Sequence, residues 1–222
     1  MTAPVFSQNI EALHLLKHPF YQDWMAGKLS AATLKDYASQ YYHHVSAFPR
    51  YISAIHSLCE DQNDRQLLLQ NLNDEEGTGF EASHPELWLR FAEGVGASRD
   101  HVRTQDMHPA VQNVINTFFK FARSSYHEGV GALFAYESQI PEIAESKIEG
   151  LRQNYGISDA RTLEFFEVHR LADVAHRAVL EDILNRLPSR EKEQALAASR
   201  ETAQALWDFL TAVHVTNPRA VA

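Results

Sequence analysis

Residues Leu29–Leu58 read LSAATLKDYASQYYHHVSAFPRYISAIHSL, and within them Leu34, Tyr37, Tyr41, Val45, Phe48, Ile52 and Ile55 recur at spacings of three and four. At about 3.6 residues per turn this spacing lays the seven side chains along one face of a single long helix. Ser30 stands where an N-cap belongs. The same period continues downstream. A helix is predicted from about Asn63 to Glu76 on Leu67, Leu68 and Leu72, ending at Gly77-Thr78-Gly79. The next opens on Ser83-His84-Pro85-Glu86, a capping-box pattern with Pro85 in the first turn and Glu86 reaching back to Ser83, and ends near Gly94. His108-Pro109 opens a fourth, through Val111, Val114, Ile115, Phe118 and Phe119 to about Ser124. A fifth is expected from Tyr126 to Tyr155 with a kink at Pro141, a sixth from Ala160 to Leu187 behind Asp159, and a last from Ser189 to Val215 before Asn217-Pro218. With nine Gly and eight Pro in 222 residues, punctuation is too sparse for a many-turned β architecture. The expectation is an all-α bundle of about seven helices, forming one domain over residues 1–222.

Composition narrows the function. Lys and Arg number 20 against 29 Asp and Glu, a formal charge of −9. A nucleic-acid binder draws its affinity from clustered cations, so that class is disfavoured. No stretch approaches the roughly 20 apolar residues that cross a bilayer, and the start MTAPVFSQNIEALHLL lacks a basic flank and a small-residue cleavage site. Cys59 is the single cysteine and forms no internal disulfide. A cytoplasmic protein without nucleic-acid or membrane partners is expected. Twelve histidines are the remaining anomaly.

Three of them can be placed. His169, Asp173 and His176 stand at i, i+4 and i+7 on the stripe that carries Phe165, Val179, Leu180 and Ile183. A buried carboxylate without a partner costs several kcal/mol, so a cation is called for. Imidazole and carboxylate converging from one helix is the ligand spacing of carboxylate-bridged dimetal bundles. Glu137 lies between Leu133 and Ile140 on the apolar face of the fifth helix. Glu75 or Glu76, at the end of the second, and His84, at the start of the third, can meet across a tight turn. Three carboxylates and three imidazoles carry a formal −3, which two divalent metals offset. Ligation by N and O without thiolate suits iron or manganese over structural zinc.

These residues resemble the haem-oxygenase-like dimetal oxidases, and among them the CADD-like proteins that make p-aminobenzoate for folate. The resemblance runs over nearly the whole chain. It rests on His18-Pro19-Phe20-Tyr21 with Trp24, on Asn71-Leu72 through Asp74-Glu75-Glu76-Gly77, on His84-Pro85-Glu86-Leu87-Trp88, on Tyr136-Glu137-Ser138-Gln139-Ile140-Pro141, and on His169-Arg170-Leu171-Ala172-Asp173 with His176. It implies a helical bundle holding two metals, Fe/Fe or Fe/Mn, and no haem, on Glu75, His84, Glu137, His169, Asp173 and His176. Glu76 and Glu81 stand as alternatives to Glu75. It further implies dioxygen and an external reductant as co-reactants, with a homodimer as the common assembly of the fold. In that family the aromatic ring is excised from a tyrosine of the protein itself. The matching residue is Tyr21, with Lys147 as amino donor and Tyr37 and Tyr136 nearby. On an unbroken helix Lys147 lies ten residues, or about 15 Å of rise, from Glu137, so it reaches the site only if Pro141 or its long side chain redirects it.

Two other functions are weighed. A dimetal oxygenase acting on a free small molecule would use the same ligands, and only Tyr21 and Lys147 separate it from self-sacrifice. A metal-free hydrolase resembling thiaminase II would need a cysteine where Gly131-Ala132-Leu133-Phe134-Ala135-Tyr136-Glu137 has none.

Overall fold

The computed structural model describes residues 5–78 and 81–216. Among these there are eleven α-helices and no strand: α1 Val5–Ile10, α2 Pro19–Met25, α3 Ala31–Leu58, α4 Gln62–Glu76, α5 His84–Gly94, α6 Arg99–Thr104, α7 Pro109–Ala122, α8 Tyr126–Glu137, α9 Ile140–Asn154, α10 Ala160–Arg186 and α11 Ser189–Thr216. The all-α expectation holds, but the count of seven does not. Helices α1, α2 and α6 have six or seven residues each, too short to show a 3.6 period. The predicted fifth helix is two. The chain breaks at Ser138–Gln139, and Pro141 stands in the first turn of α9 instead of kinking a continuous helix. Proline favours that position because a first-turn residue needs no amide donor. Pro49, by contrast, sits inside α3 without ending it.

The starts follow local chemistry. Ser30 Oγ accepts from the Thr33 amide at 3.0 Å, Asp159 Oδ1 from the Thr162 amide at 2.9 Å and Ser83 Oγ from the Glu86 amide at 3.4 Å. Each satisfies an orphan donor of a first turn. The capping box is only half made: the Glu86 carboxylate turns away to the Arg99 guanidinium at 2.7 and 2.9 Å, a stronger bidentate partner than a main-chain amide. Gly77 ends α4 at φ +72°, and a Cβ there would stand 2.6 Å from the Ser83 nitrogen, so the turn back toward α5 needs glycine. The predicted Gly79 and the Asn217-Pro218 stop lie outside the described residues.

Helix α11 packs along α8, α10 against α9, α5 and α8, and α3 against α4, α5 and α7. The buried face of α3 expected from its period is present, with Leu34, Tyr37, Tyr41, Val45, Phe48, Ile52 and Ile55 all in the core. The ends of α4, α5 and α8 and the middle of α10 thus converge in the interior. No helix among the described residues is long and apolar enough to cross a membrane.

Helix α8 lies close against the main chain of α11 at Gly131, where a Cβ would stand 2.4 Å from the Ala195 carbonyl oxygen. Main chain cannot swing aside as a side chain does. Gly131→Ala is expected to lower unfolding free energy by about 1–3 kcal/mol, as overpacking of a closed core does, measured by urea denaturation with circular dichroism.

Candidate metal centre

The last two turns of α4 set one wall. Asn71 and Glu75, four residues apart, both point inward, while Glu76, one residue on, is exposed. The Glu75 carboxylate meets His84 at the start of α5, with Oε2 2.8 Å from Nδ1. His169 of α10 closes this group, its ring centroid 4.3 Å from that of His84. Its own Nδ1 lies 2.7 Å from the Phe165 carbonyl oxygen. A carbonyl only accepts, so Nδ1 carries the proton and Nε2 offers the lone pair.

A second group lies beside the first. Glu137 ends α8, held by the Asn71 amide, which donates to its two carboxylate oxygens at 3.0 and 3.2 Å. Asp173 and His176 come from α10. His176 Nδ1 is 3.1 Å from Asp173 Oδ1 and 3.9 Å from Glu137 Oε2. Its other nitrogen is 3.2 Å from Asp74 Oδ2. The six residues expected as ligands therefore fall into two triads, Glu75/His84/His169 and Glu137/Asp173/His176. In each, one ligand atom per residue lies within 4.8 Å of the others. Glu75 stands in the first triad, whereas Glu81 is exposed in the turn before α5.

Two buried atoms indicate what the triads suit. Among the described residues Asp173 Oδ2 has no hydrogen-bond partner, and His84 Nδ1, although 2.8 Å from Glu75 Oε2, meets it outside hydrogen-bond geometry. Orphaned buried polar atoms are expensive, and a cation between the three residues of each group would satisfy them. Burial pushes the Glu137 and Asp173 carboxyls well above the usual range, against the pull of His176. Burial also works against a charge on His176, but the Asp173 hydrogen bond and the Glu137 charge outweigh it and raise the imidazole. His169 is held well below its ordinary value by desolvation. Carboxylates reluctant to ionise in a dry interior, beside a neutral imidazole, form a donor set that a divalent cation would hold ionised. A donor set of carboxylates and imidazoles without thiolate is of the kind that iron or manganese accepts, and each triad could hold one such ion.

An aromatic pocket adjoins the first triad. Lys147 of α9 is buried and donates to the Tyr37 hydroxyl at 2.6 Å. Its ammonium lies over Tyr37 at 5.0 Å from the ring centroid, Phe166 at 5.0 Å, Trp88 at 5.4 Å, Tyr41 at 5.5 Å and Tyr21 at 5.6 Å. The break at Ser138–Gln139 redirects α9 and brings the lysine in. Tyr21 of α2, buried, has its hydroxyl 3.5 Å from that of Tyr37. Burial lowers Lys147 to about 7 and pushes the Tyr21 phenol above its ordinary value. The pocket reaches the triad through ring contacts from Tyr37 to Trp88 at 5.9 Å, Trp88 to Phe165 at 4.8 Å and Phe165 to His169 at 4.0 Å. Tyr136 packs on Phe48 and His44 beside Glu137, and its phenol is hydrogen-bonded with that of Tyr41, one of the rings around Lys147. Sequence reasoning gave no role to Asn71, Asp74 or the Trp88–Phe165 bridge. The i, i+4 spacing of Asn71 and Glu75 was the one available signal for the first.

The family described as iron-containing redox enzyme matches residues 35–208. The chain belongs to this family. It is 38% identical over 217 residues to a 4-aminobenzoate synthase of Chlamydia pneumoniae, covering 96% of each chain. It is 40% identical over 202 residues to a 4-aminobenzoate synthase of Chlamydia muridarum, covering 90% of this chain and 85% of that one. Its fold resembles the crystal structure of a TenA homologue from Pseudomonas syringae at a TM-score of 0.79 and 14% identity, over 94% of this chain and 90% of that one.

Metal analysis of protein loaded with Fe(II) or Mn(II) should find about two ions per chain in the wild type and about one in His169→Ala. An unchanged stoichiometry in the variant would remove His169 from the ligand set.

Proposed function

We propose that this redox enzyme makes p-aminobenzoate in an oxygen-dependent reaction, taking the ring from its own Tyr21 and the amino group from Lys147. The observation that carries the reading is the burial of Tyr21 and Lys147 together in one aromatic pocket, with Trp88 and Phe165 between it and the first triad. The curated relatives named 4-aminobenzoate synthase support the product. Bound at the two triads, a pair of iron or iron and manganese ions would supply the activation of dioxygen, with electrons from an external reductant.

The protein's own groups account for the rest. A tyrosine side chain is a ring with one carbon para to a hydroxyl, so it holds the skeleton of the product: Cα–Cβ breaks, Cβ is oxidised to the carboxyl at the expense of dioxygen, the phenolic oxygen leaves as water, and the nitrogen that replaces it is released from lysine by breaking Cε–Nζ. Packing of Tyr21 against Phe20 and Trp24 fixes the ring for reaction. Lys147, near 7 where a free lysine stands near 10.4, is in good part neutral at physiological pH and carries a nucleophilic lone pair. Tyr37, kept a neutral phenol by burial, accepts a hydrogen bond from the lysine and, with its hydroxyl 3.5 Å from that of Tyr21, holds the amine near the phenolic side of the ring.

A free substrate is the second reading, favoured by a cavity of about 510 Å³ lined by Asp74, Glu81, His84, Arg90 and Glu164 that opens onto the first triad. Peptide mass spectrometry separates the two. After metal-loaded protein meets oxygen and reductant, the Tyr21 side chain should be missing in proportion to p-aminobenzoate formed. Product with Tyr21 intact would establish a free substrate.

The lysine gives two further expectations. Lys147→Arg should keep its metals and yield no product; full yield would exclude Lys147 as donor. Because burial depresses the lysine and the neutral amine is the reactive form, the initial rate in metal-loaded wild type should rise between pH 6 and 8 with a midpoint near 7. A flat profile there would contradict attack by this amine.

A further inference from the structure

The two triads present their α10 histidines differently. His169 has Nδ1 tied to the main-chain carbonyl of Phe165 one turn back, leaving Nε2 free for the Glu75/His84 side. His176 is the reverse: Nδ1 faces Asp173 and Glu137, and Nε2 lies 3.2 Å from Asp74 Oδ2. An imidazole turned by 180° about its Cβ–Cγ bond puts carbon where each nitrogen stood, so a hydrogen bond at one nitrogen decides which atom the other edge presents. A carboxylate accepts and does not donate, so Asp74 holds hydrogen on Nε2; the Nδ1 edge faces Asp173 and Glu137, which draw a proton there in the absence of a cation and would leave Nδ1 as the ligand atom with one between them. Asp74 belongs to the same helical turn as Glu75, yet its side chain is 40% exposed. It borders both the 510 Å³ cavity beside His84 and a second cavity of about 250 Å³, lined by Leu67, Leu68, Val179 and Leu180, that reaches Asn71 and His176.

We propose that Asp74 is a positioning residue for His176, making Nδ1 the ligand atom of the Glu137/Asp173 position while the Glu75/His84 position uses Nε2 of His169. This rests on the two-metal reading of the triads. The support of one α10 histidine is main chain and cannot be removed by substitution. The support of the other is a half-exposed side chain, so a change at Asp74 should act on one metal position only.

The test uses Zn(II) alone, which is diamagnetic and redox-silent. Apo protein is titrated calorimetrically as wild type, Asp74→Ala and Asp74→Asn, and the imidazole nitrogens of the zinc-loaded wild type are read by 15N NMR. In the wild type two zinc ions should bind, with His176 showing a metal-shifted Nδ1 and a protonated Nε2. Asp74→Ala should weaken one of the two sites about 10–100-fold, the usual effect of losing such a support, and leave the other within about twofold. Asp74→Asn, which keeps a carbonyl acceptor, should recover most of the loss. Zinc on Nε2 of His176, equal weakening of both sites or no weakening would overturn the assignment. So would Asp74→Ala lowering the apo melting temperature without a site-selective loss, the sign of a merely structural role. If the wild type binds fewer than two zinc ions, the two-metal reading fails with it. If it binds two and Asp74→Ala matches it, only the role of Asp74 fails.

Discussion

Three carboxylates, Glu75, Glu137 and Asp173, face one another in the interior, each 4% exposed or less. Among the described residues none has a lysine or arginine within ion-pair distance; their charged neighbours are histidines. Removing a carboxylate from water costs several kcal/mol even after relaxation, so three such groups in one place constrain everything around them. The ends of α4, α5 and α8 and the middle of α10 meet at this point, and the supports around them are those the constraint demands. The Asn71 amide donates to Glu137, the Phe165 carbonyl fixes His169, and Asp74 bonds His176. On the two-metal reading, divalent cations would complete the arrangement by opposing the charge directly.

The aromatic pocket obeys a related rule with the opposite sign. Lys147 is as buried as the carboxylates but has no carboxylate partner among the described residues; a phenol and five ring faces surround it. Ring faces favour a cation only modestly, and burial wins, bringing the amine to about 7. The two halves of the site are therefore matched. One gathers carboxylates and imidazoles suited to a divalent cation, and the other holds a phenol ring and a largely neutral amine side by side. Trp88 and Phe165 pack between them.

How legible this was in the sequence depended on the element. On α10, a helical period laid three polar residues over an apolar stripe, a contradiction that periodicity alone exposes, and Glu137 was visible for the same reason. The first glutamate was not decided by spacing, because Asp74, Glu75 and Glu76 close a helix where acids are ordinarily solvated. Only the inward direction shared with Asn71 separates Glu75 from its neighbours, and Asp74 was invisible as a support for a residue a hundred positions away. Lys147 looked too distant because one long helix was expected. The first-turn preference of Pro141 broke it in two and turned the lysine inward. Helices α1, α2 and α6 were missed because six or seven residues do not establish a period, although α2 carries Tyr21.

If two divalent cations balance the buried carboxylates, folding and metal binding are linked. Calorimetric titration of the apo wild type with Mn(II), followed by thermal melting of apo and loaded protein, should then show two ions per chain, proton release on binding and a melting temperature that rises with free metal, as linkage requires of an ion bound only by the folded state. Absence of uptake, with identical melting in the presence and absence of metal, would contradict it.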